Sequence, residues 1–234
     1  MKWPGAMIEA RFVKRYKRFF ADCELDDGTL ITAHCANTGS MRTCLLPGAP
    51  VWLTHNNHPK RKLKYTLYAI QMQDGWVGVH TGLSNKLVRE AIENRLIPEL
   101  TPAGEVKSEL KINPGTRLDL FFEDECQKKV YVEVKNTTLL LGEGLVSFPD
   151  AVTTRGRKHL LELIELVKAG NRAVMFFCIQ RTSAVRMVPS WQDDPRYAAT
   201  LKEAKDAGVE ILAYKVDMNK NDINLKHRVP FTLG

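Results

Sequence analysis

The sequence predicts a two-domain protein of the α/β (α+β) class: a small N-terminal β-barrel of the OB type over residues 1–80, then an α/β domain with a mixed sheet over 81–234. Two observations carry this prediction. Up to about residue 80, short runs rich in β-branched and aromatic residues alternate with clusters of turn residues. After "GWVGVHTG" (75–82), helical periodicity begins to alternate with strand-like runs, which is the order expected of a helix-covered sheet.

In the first domain the strands are "MIEARFVKRY" (7–16), "FFADCEL" (19–25), "TLITAHC" (29–35), "PVWLTH" (50–55) and "KYTLYAIQM" (64–72). Between them stand "DDG", "NTGS", "PGAP", "NNHPK" and "QDG", whose residues suit turn backbone and end strands. Five strands at this spacing suit an OB barrel, and other small barrels leave the same trace. The boundary falls near residues 78 to 84. Beyond it, "SNKLVREAIENRLI" places Leu87, Val88, Ala91, Ile92 and Leu96 at helical spacing, with Ser84 or Asn85 as N-cap. Two strands follow, "TRLDLFFED" (116–124) and "KKVYVEVKN" (128–136). Next come a helix from Asp150 to Gly170, an apolar strand "RAVMFFCIQ" (172–180), a helix "PRYAATLKEAKDAG" (195–208) and a strand "VEILAYKVD" (209–217).

Composition narrows the function classes. The 44% hydrophobic and 26% charged content is that of a globular protein. No apolar run reaches the ~18 residues of a membrane span, and the start lacks the apolar region of a secretory signal, so a cytoplasmic location is expected. Five cysteines without a Cys-x-x-Cys spacing signal neither a disulfide framework nor a zinc site. The formal charge of +7 is uneven: residues 1–80 hold 11 Lys+Arg against 6 Asp+Glu, and the remainder holds 23 against 21. An acidic partner such as nucleic acid fits this excess, although many proteins of similar charge never bind one.

Chemistry concentrates on the two consecutive strands. Side chains alternate along a strand, so Leu118, Leu120 and Phe122 oppose Arg117, Asp119 and Phe121. Likewise Val130, Val132 and Val134 oppose Tyr131, Glu133 and Lys135. Paired as a hairpin over one core, they bring Asp119 towards Glu133 and Lys135. Two carboxylates on adjacent strands suit Mg²⁺ or Mn²⁺, which prefer oxygen ligands, and a neighbouring lysine can orient the attacking water. Glu109, in "GEVKSELKINPG" (104–115), could complete the metal shell from a helix or strand end. A surface hairpin with cross-strand ion pairs would show the same spacing.

These segments carry a resemblance. "SEL" (108–110), "RLDL" (117–120), "YVEVKNTTL" (131–139) and "FPDAVTTRGRKHLLEL" (148–163), after "RYKRFFADCEL" (15–25), "HCANTGSM" (34–41) and "NKLVREAI" (85–92), resemble the sugar fermentation stimulation protein A family. The resemblance spans nearly the whole chain in order. It implies a restriction-endonuclease-like second domain of the PD-(D/E)xK nuclease kind, with Glu109, Asp119, Glu133 and Lys135 as the catalytic core and the three acids as metal ligands. The sequence departs from that pattern at Leu118, where the motif's proline would stand. It further implies DNA binding and a link to sugar metabolism. The expected function is therefore nucleic-acid binding with a Mg²⁺-dependent phosphodiesterase site. The alternative is a non-catalytic DNA-binding transcription regulator of sugar (maltose) genes that keeps the nuclease fold. The oligomeric state is left open, with a homodimer admitted.

Two basic segments complete the expected site. Arg155, Lys158, His159 and Glu162 share one stripe of the helix whose N-cap is read as Asp150, with the first three placed to hold phosphate. Gly156 inside that helix costs about 1 kcal/mol against alanine, so either the helix starts later or something approaches closely there. In "RFVKRYKRFF", Arg11, Lys14, Arg15, Lys17 and Arg18 interleave with Phe12, Tyr16, Phe19 and Phe20, with Arg61, Lys62 and Lys64 adding charge. Cations for the backbone and aromatics for bases make a single-strand binding surface, whereas aromatics in the barrel core would give the same pattern. His34 with Cys35, and His55 with His58, are weak metal or nucleophile signals, and Asn37, Thr38 and Gly39 suit a turn, while their resemblance to the family pattern leaves a binding role at the domain interface open.

Overall fold

Strand pairing in the first domain closes a barrel. The computed structural model describes residues 1–113 and 115–234. Strands β1 (Ile8–Tyr16), β2 (Phe20–Leu25), β3 (Leu30–Cys35), β4 (Pro50–His55), β5 (Tyr65–Met72) and β6 (Gly75–Gly78) run in the order β3-β2-β1-β4-β5-β6. A parallel pairing of β3 with β5 closes the ring, with Ala33 level with Tyr65 and Cys35 level with Leu67. The interior is filled by Phe12, Val51, Leu53, Leu67 and Ile70 against Ala21, Cys23, Ala33 and Cys35. Small side chains on β2 and β3 leave room for the large ones opposite, which lets so narrow a barrel pack.

The second domain is built on a six-stranded mixed sheet. Its strands are β7 (Lys107–Asn113), β8 (Thr116–Glu123), β9 (Lys129–Thr137), β12 (Arg172–Ile179), β14 (Glu210–Met218) and β15 (Ile223–Arg228), ordered β15-β14-β12-β9-β8-β7. The three central strands are parallel and the flanking pairs antiparallel. After Arg172, strand β12 is apolar because helices cover both of its faces. Val174, Phe176 and Cys178 point to α1 (Ser84–Glu93), while Met175, Phe177 and Ile179 point to α2 (Thr154–Lys168) and α3 (Pro195–Asp206). A smaller sheet of β10 (Leu139–Gly142), β11 (Leu145–Phe148) and β13 (Arg186–Pro189) lies beside it. Among the described residues, no helix is long and apolar enough to cross a membrane.

Three local expectations are corrected. Thr153, not Asp150, caps α2, its hydroxyl accepting the Gly156 N–H at 3.0 Å. The helix therefore starts later than Asp150, and Gly156 falls in its first turn. A Cβ there would lie 2.8 Å from Thr153 and 3.1 Å from the Tyr197 ring, so this glycine permits close packing. Neither Ser84 nor Asn85 caps α1; the N-cap is Leu83, without a side-chain bond. The strands β6, β7, β10, β11, β13 and β15 were not read from the sequence, being short or polar.

The two domains share a buried charge. Arg181, 1% exposed just after β12, gives Nε and Nη2 to the two carboxylate oxygens of Asp74 at 2.7 Å each. Its Nη1 reaches the carbonyls of Thr138 at 3.1 Å and Thr43 at 3.3 Å. Backbone bonds flank it: Gly78 N–H to the Gln180 carbonyl at 2.7 Å, and Thr182 N–H to the Trp76 carbonyl at 3.1 Å. A Cβ at Gly78 would press on the Gln180 side chain, so glycine permits the close approach of the two segments here. Burial pushes the Asp74 carboxyl up, but the Arg181 and Ser183 bonds outweigh it and hold the group below the usual carboxylate range. Arg181→Ala leaves the carbonyls of Thr43 and Thr138 without their donor and should cost about 1–3 kcal/mol in denaturant unfolding. Because the Asp74 pKa is lowered, its contribution is present above the ordinary carboxylate range and is lost as pH falls through the folded value. Asp74→Asn should therefore flatten the acid limb of the stability curve.

Candidate metal and phosphate site

The site forms where β8 parts from β9. Their Cα partners run from Glu123 and Lys129 to Leu120 and Val132, which puts Asp119 level with Glu133 at the next step. There the ladder gives way to a side chain: the Val134 N–H donates to Asp119 Oδ2 at 2.8 Å. The other Asp119 oxygen accepts from Asn85 Nδ2 at 2.7 Å, from the first turn of α1.

Glu133 is 2% exposed and must find partners for its charge. Lys135 Nζ and His159 Nδ1 both bind its Oε1. Arg155 Nε donates to His159 Nε2 at 3.4 Å; a guanidinium can only donate, so Nε2 accepts and Nδ1 carries the proton given to Glu133. Burial raises the Glu133 carboxyl, but the His159 bond and the Lys135 charge bring it below the usual range. Asp119 goes the other way: burial and the Glu133 charge push it to about 6, against the Val134 bond. Tyr197 from α3 brings a buried hydroxyl without a hydrogen-bond partner, and burial with the charges of Glu133 and Asp194 raises it well above its ordinary range.

A divalent cation fits this donor set. Among the described residues Glu133 Oε2 is buried with no hydrogen-bond partner, an acceptor that a cation would satisfy. Mg²⁺ commonly uses one or two carboxylates and takes its remaining ligands from water and phosphate, so Asp119 and Glu133 suffice as protein ligands. The structure does not bring Glu109 to them. It lies on β7 at the level of Asp119 and its carboxylate is exposed, 3.5 Å from Arg117. Among the described residues, no three of His, Cys, Asp and Glu are grouped to hold a metal.

A basic bay opens beside the pair. Lys111, Asn113, Thr116, Arg117, Arg155 and Lys158 line a space of ≈ 560 Å³ with His159 at its edge. The expected stripe on α2 thus divides. Arg155 and Lys158 face the bay, His159 turns inward to Glu133, and Glu162 accepts from Asn113 at 3.1 Å and Thr116 at 3.3 Å. His159, at 5% exposure, holds a carboxylate where phosphate contact was expected.

The sequence reading missed the support behind the site. Ser84 Oγ donates to Asn136 Oδ1 at 3.0 Å, and Gln180 Nε2 reaches the same oxygen at 2.7 Å. The segment "NKLVREAI" held the signal, because an asparagine that caps nothing at a helix start is free to hold Asp119.

The barrel cations have mixed duties. Arg15 gives its guanidinium to the carbonyls of Arg18, Asn37, Gly39 and Ser40 at 2.7 to 3.1 Å. Arg11 donates to the Gly48 carbonyl, Arg61 to Thr66 Oγ1 and Lys64 to the His58 carbonyl. Lys14 lies 3.8 Å from Asp22. Phe12 fills the barrel, Cys35 is buried, His55 tilts against Tyr65, and Asn37 Oδ1 takes the Gly39 N–H in a turn. Between the domains a cleft of ≈ 670 Å³ runs from Arg15 and Arg18 to Asn136 and Thr138.

An OB barrel joined to a mixed-sheet α/β domain, with an acid on one strand level with an acid-x-lysine on the next, defines a two-domain class. Residues 13–79 match the family described as SfsA N-terminal OB domain, and residues 82–222 match the sugar fermentation stimulation protein RE domain. The chain belongs to the sugar fermentation stimulation protein family. A homologue from Maricaulis maris is 46% identical over 94% of this chain and 93% of its own, and one from Geobacter metallireducens is 45% identical over the whole of both. The solved structure of Pyrococcus furiosus SfsA, in complex with Ca²⁺, superposes with a TM-score of 0.88 at 28% identity, covering 100% of this chain and 98% of that one.

The raised Asp119 pKa makes a stability prediction. Its neutral form is favoured in the metal-free fold, so the group adds nothing against folding below the unfolded pKa and opposes folding as pH rises through about 6. Asp119→Asn should therefore raise the Tm of metal-free protein at pH 8, by on the order of 2 kcal/mol in stability, and change it little at pH 4.

Proposed function

We propose that this chain binds nucleic acid, DNA above all, and cleaves its phosphodiester backbone with a divalent cation, Mg²⁺ or Mn²⁺, held by Asp119 and Glu133. The observation that carries this reading is the partnerless buried Oε2 of Glu133, set opposite Asp119 and beside a bay of four cations. The Ca²⁺ complex of the related Pyrococcus protein supports a divalent ion in this fold.

In this reading the chain's own groups divide the work. Arg117, Lys111, Arg155 and Lys158 hold the scissile phosphate, since each ends in the bay with donors for its oxygens. His159 fixes Oε1 of Glu133, which leaves Oε2 aimed at the ligand position. Lys135, 15% exposed on the same oxygen, orients the attacking water by hydrogen bonding. The bound cation supplies Lewis acidity, lowering the pKa of that water and offsetting charge on phosphorus. Glu109 acts as an outer acid through its ion pair with Arg117. Of the barrel cations, Lys14, Lys17 and Arg18 extend the phosphate track, whereas Arg11, Arg15, Arg61 and Lys64 are engaged by carbonyl and hydroxyl oxygens of the barrel itself. Both acids, the lysine and the bay come from one copy, so the reading holds for a monomer and a homodimer alike. Four buried free thiols accord with a cytoplasmic protein.

Labelled DNA and RNA, single-stranded and duplex, incubated with Mg²⁺, Mn²⁺ or EDTA, test the proposal. Cleavage should require metal and fall at least about 100-fold in Glu133→Gln and Lys135→Ala, with a smaller loss in Glu109→Gln. Binding should survive these changes and weaken steeply with salt, as counterion release requires. Binding without cleavage in any metal overturns the catalytic part and leaves the DNA-binding regulator of sugar genes.

A further inference from the structure

The barrel displays aromatic rings that its core does not use. Tyr16 and Phe20 stack at 5.4 Å between centroids and 13° between planes, and Phe19 stacks on His34 at 6.4 Å and 10°. Tyr16 is 37% and Phe19 43% exposed, whereas Phe12 on the same strand as Tyr16 is buried. The four rings occupy the β1–β2 turn and the adjoining ends of β1, β2 and β3. In OB barrels this turn and the face of the second and third strands are where oligonucleotides dock.

Charge around the rings matches a polyanion. Lys14 Nζ lies 5.7 Å from the Tyr16 ring centroid. Asp22, the acid on this face, is held by Thr32 at 2.7 Å and by Tyr16 at 3.3 Å, with Lys14 3.8 Å away. At the tip, Lys17 and Arg18 adopt φ of 46° and 62°, a left-handed conformation that costs a non-glycine residue about 1 kcal/mol or more. A turn needing only that backbone would be met by glycine or asparagine. Among the described residues, neither side chain has an ion-pair partner. Arg18 also lines the interdomain cleft, as does Asn136, the residue after Lys135.

We propose that the Phe19–His34 and Tyr16–Phe20 stacks are a platform for unpaired bases, so that the nucleic acid cleaved at the carboxylate pair carries a single-stranded segment running along the interdomain cleft. The inference rests on the phosphodiesterase reading and adds its substrate class. A base inside a duplex has both faces covered by its neighbours and offers nothing to an exposed ring, whereas an unpaired base can stack on Phe19. Duplex contacts would use the cations alone and give the exposed rings no role.

Fluorescence anisotropy with a labelled oligothymidylate, a blunt duplex and a duplex bearing a single-stranded tail tests this, using the full chain. Phe19→Ala should weaken oligothymidylate and tailed-duplex binding about 5- to 100-fold and leave blunt-duplex binding within about twofold. Phe19→Trp should restore binding, and the salt slope should stay that of the wild type, because the phosphate contacts remain. Lys17→Ala should instead lower the slope by about one. An unchanged oligothymidylate affinity in Phe19→Ala overturns the platform, as does an equal loss on the blunt duplex. Cleavage by wild-type protein is read separately. Absence of metal-dependent cleavage overturns the phosphodiesterase reading, even where the Phe19 effect stands.

Discussion

A carboxylate that is almost wholly buried cannot keep its charge unaided, and the second domain is arranged around meeting that need at Glu133. Lys135 comes from the same strand and His159 from α2, while Asp119 opposes Glu133 from β8 and is pushed towards its neutral form. One strand of the sheet and one helix packed over it thereby meet at a single charge. The arrangement is asymmetric: one oxygen of Glu133 receives two donors and the other receives none. That imbalance costs the protein stability, because a buried acceptor without a donor keeps its desolvation penalty.

The second buried charge plays a different part. Arg181 is surrounded by Asp74 and carbonyls from both domains, so its requirements are met only when barrel and sheet are in register. A guanidinium with a fixed fork of donors is suited to this because its geometry admits one arrangement of acceptors. The aromatic cluster of Trp3, Trp52, Tyr68 and Trp76 adds apolar burial to the same contact but would tolerate sliding.

Much of the fold was legible in the sequence because periodicity reports which face is buried. The five barrel strands, the two central strands of the site and α3 follow their patterns closely. The short strands of the β10-β11-β13 sheet, the polar β7 and the edge strand β15 were not, since edge strands bury little and so alternate weakly. The α2 start was misplaced for a related reason: Asp150 and Thr153 are both sound caps, and Asp150 is instead bound to Ser40 and Met41 across the domain boundary. Asp119, Glu133 and Lys135 could be grouped from alternation on two consecutive strands. His159 was found but given the wrong partner, because a helical stripe defines a face without saying what faces it.

By itself the sequence determined the two domains, the hairpin that sets acid against acid, and the concentration of cations and aromatics in the first strand. These are local consequences of side-chain alternation and turn chemistry. Tertiary structure alone decided which charges are spent and which remain for a ligand. It gave Arg15 to four carbonyls, turned His159 onto Glu133, held Asp119 with Asn85, kept Glu109 at the surface, and left Phe19 and Tyr16 outside the core. The physical reason is desolvation: the cost of an unpaired charge or the gain from a buried ring depends on neighbours that come from distant parts of the chain.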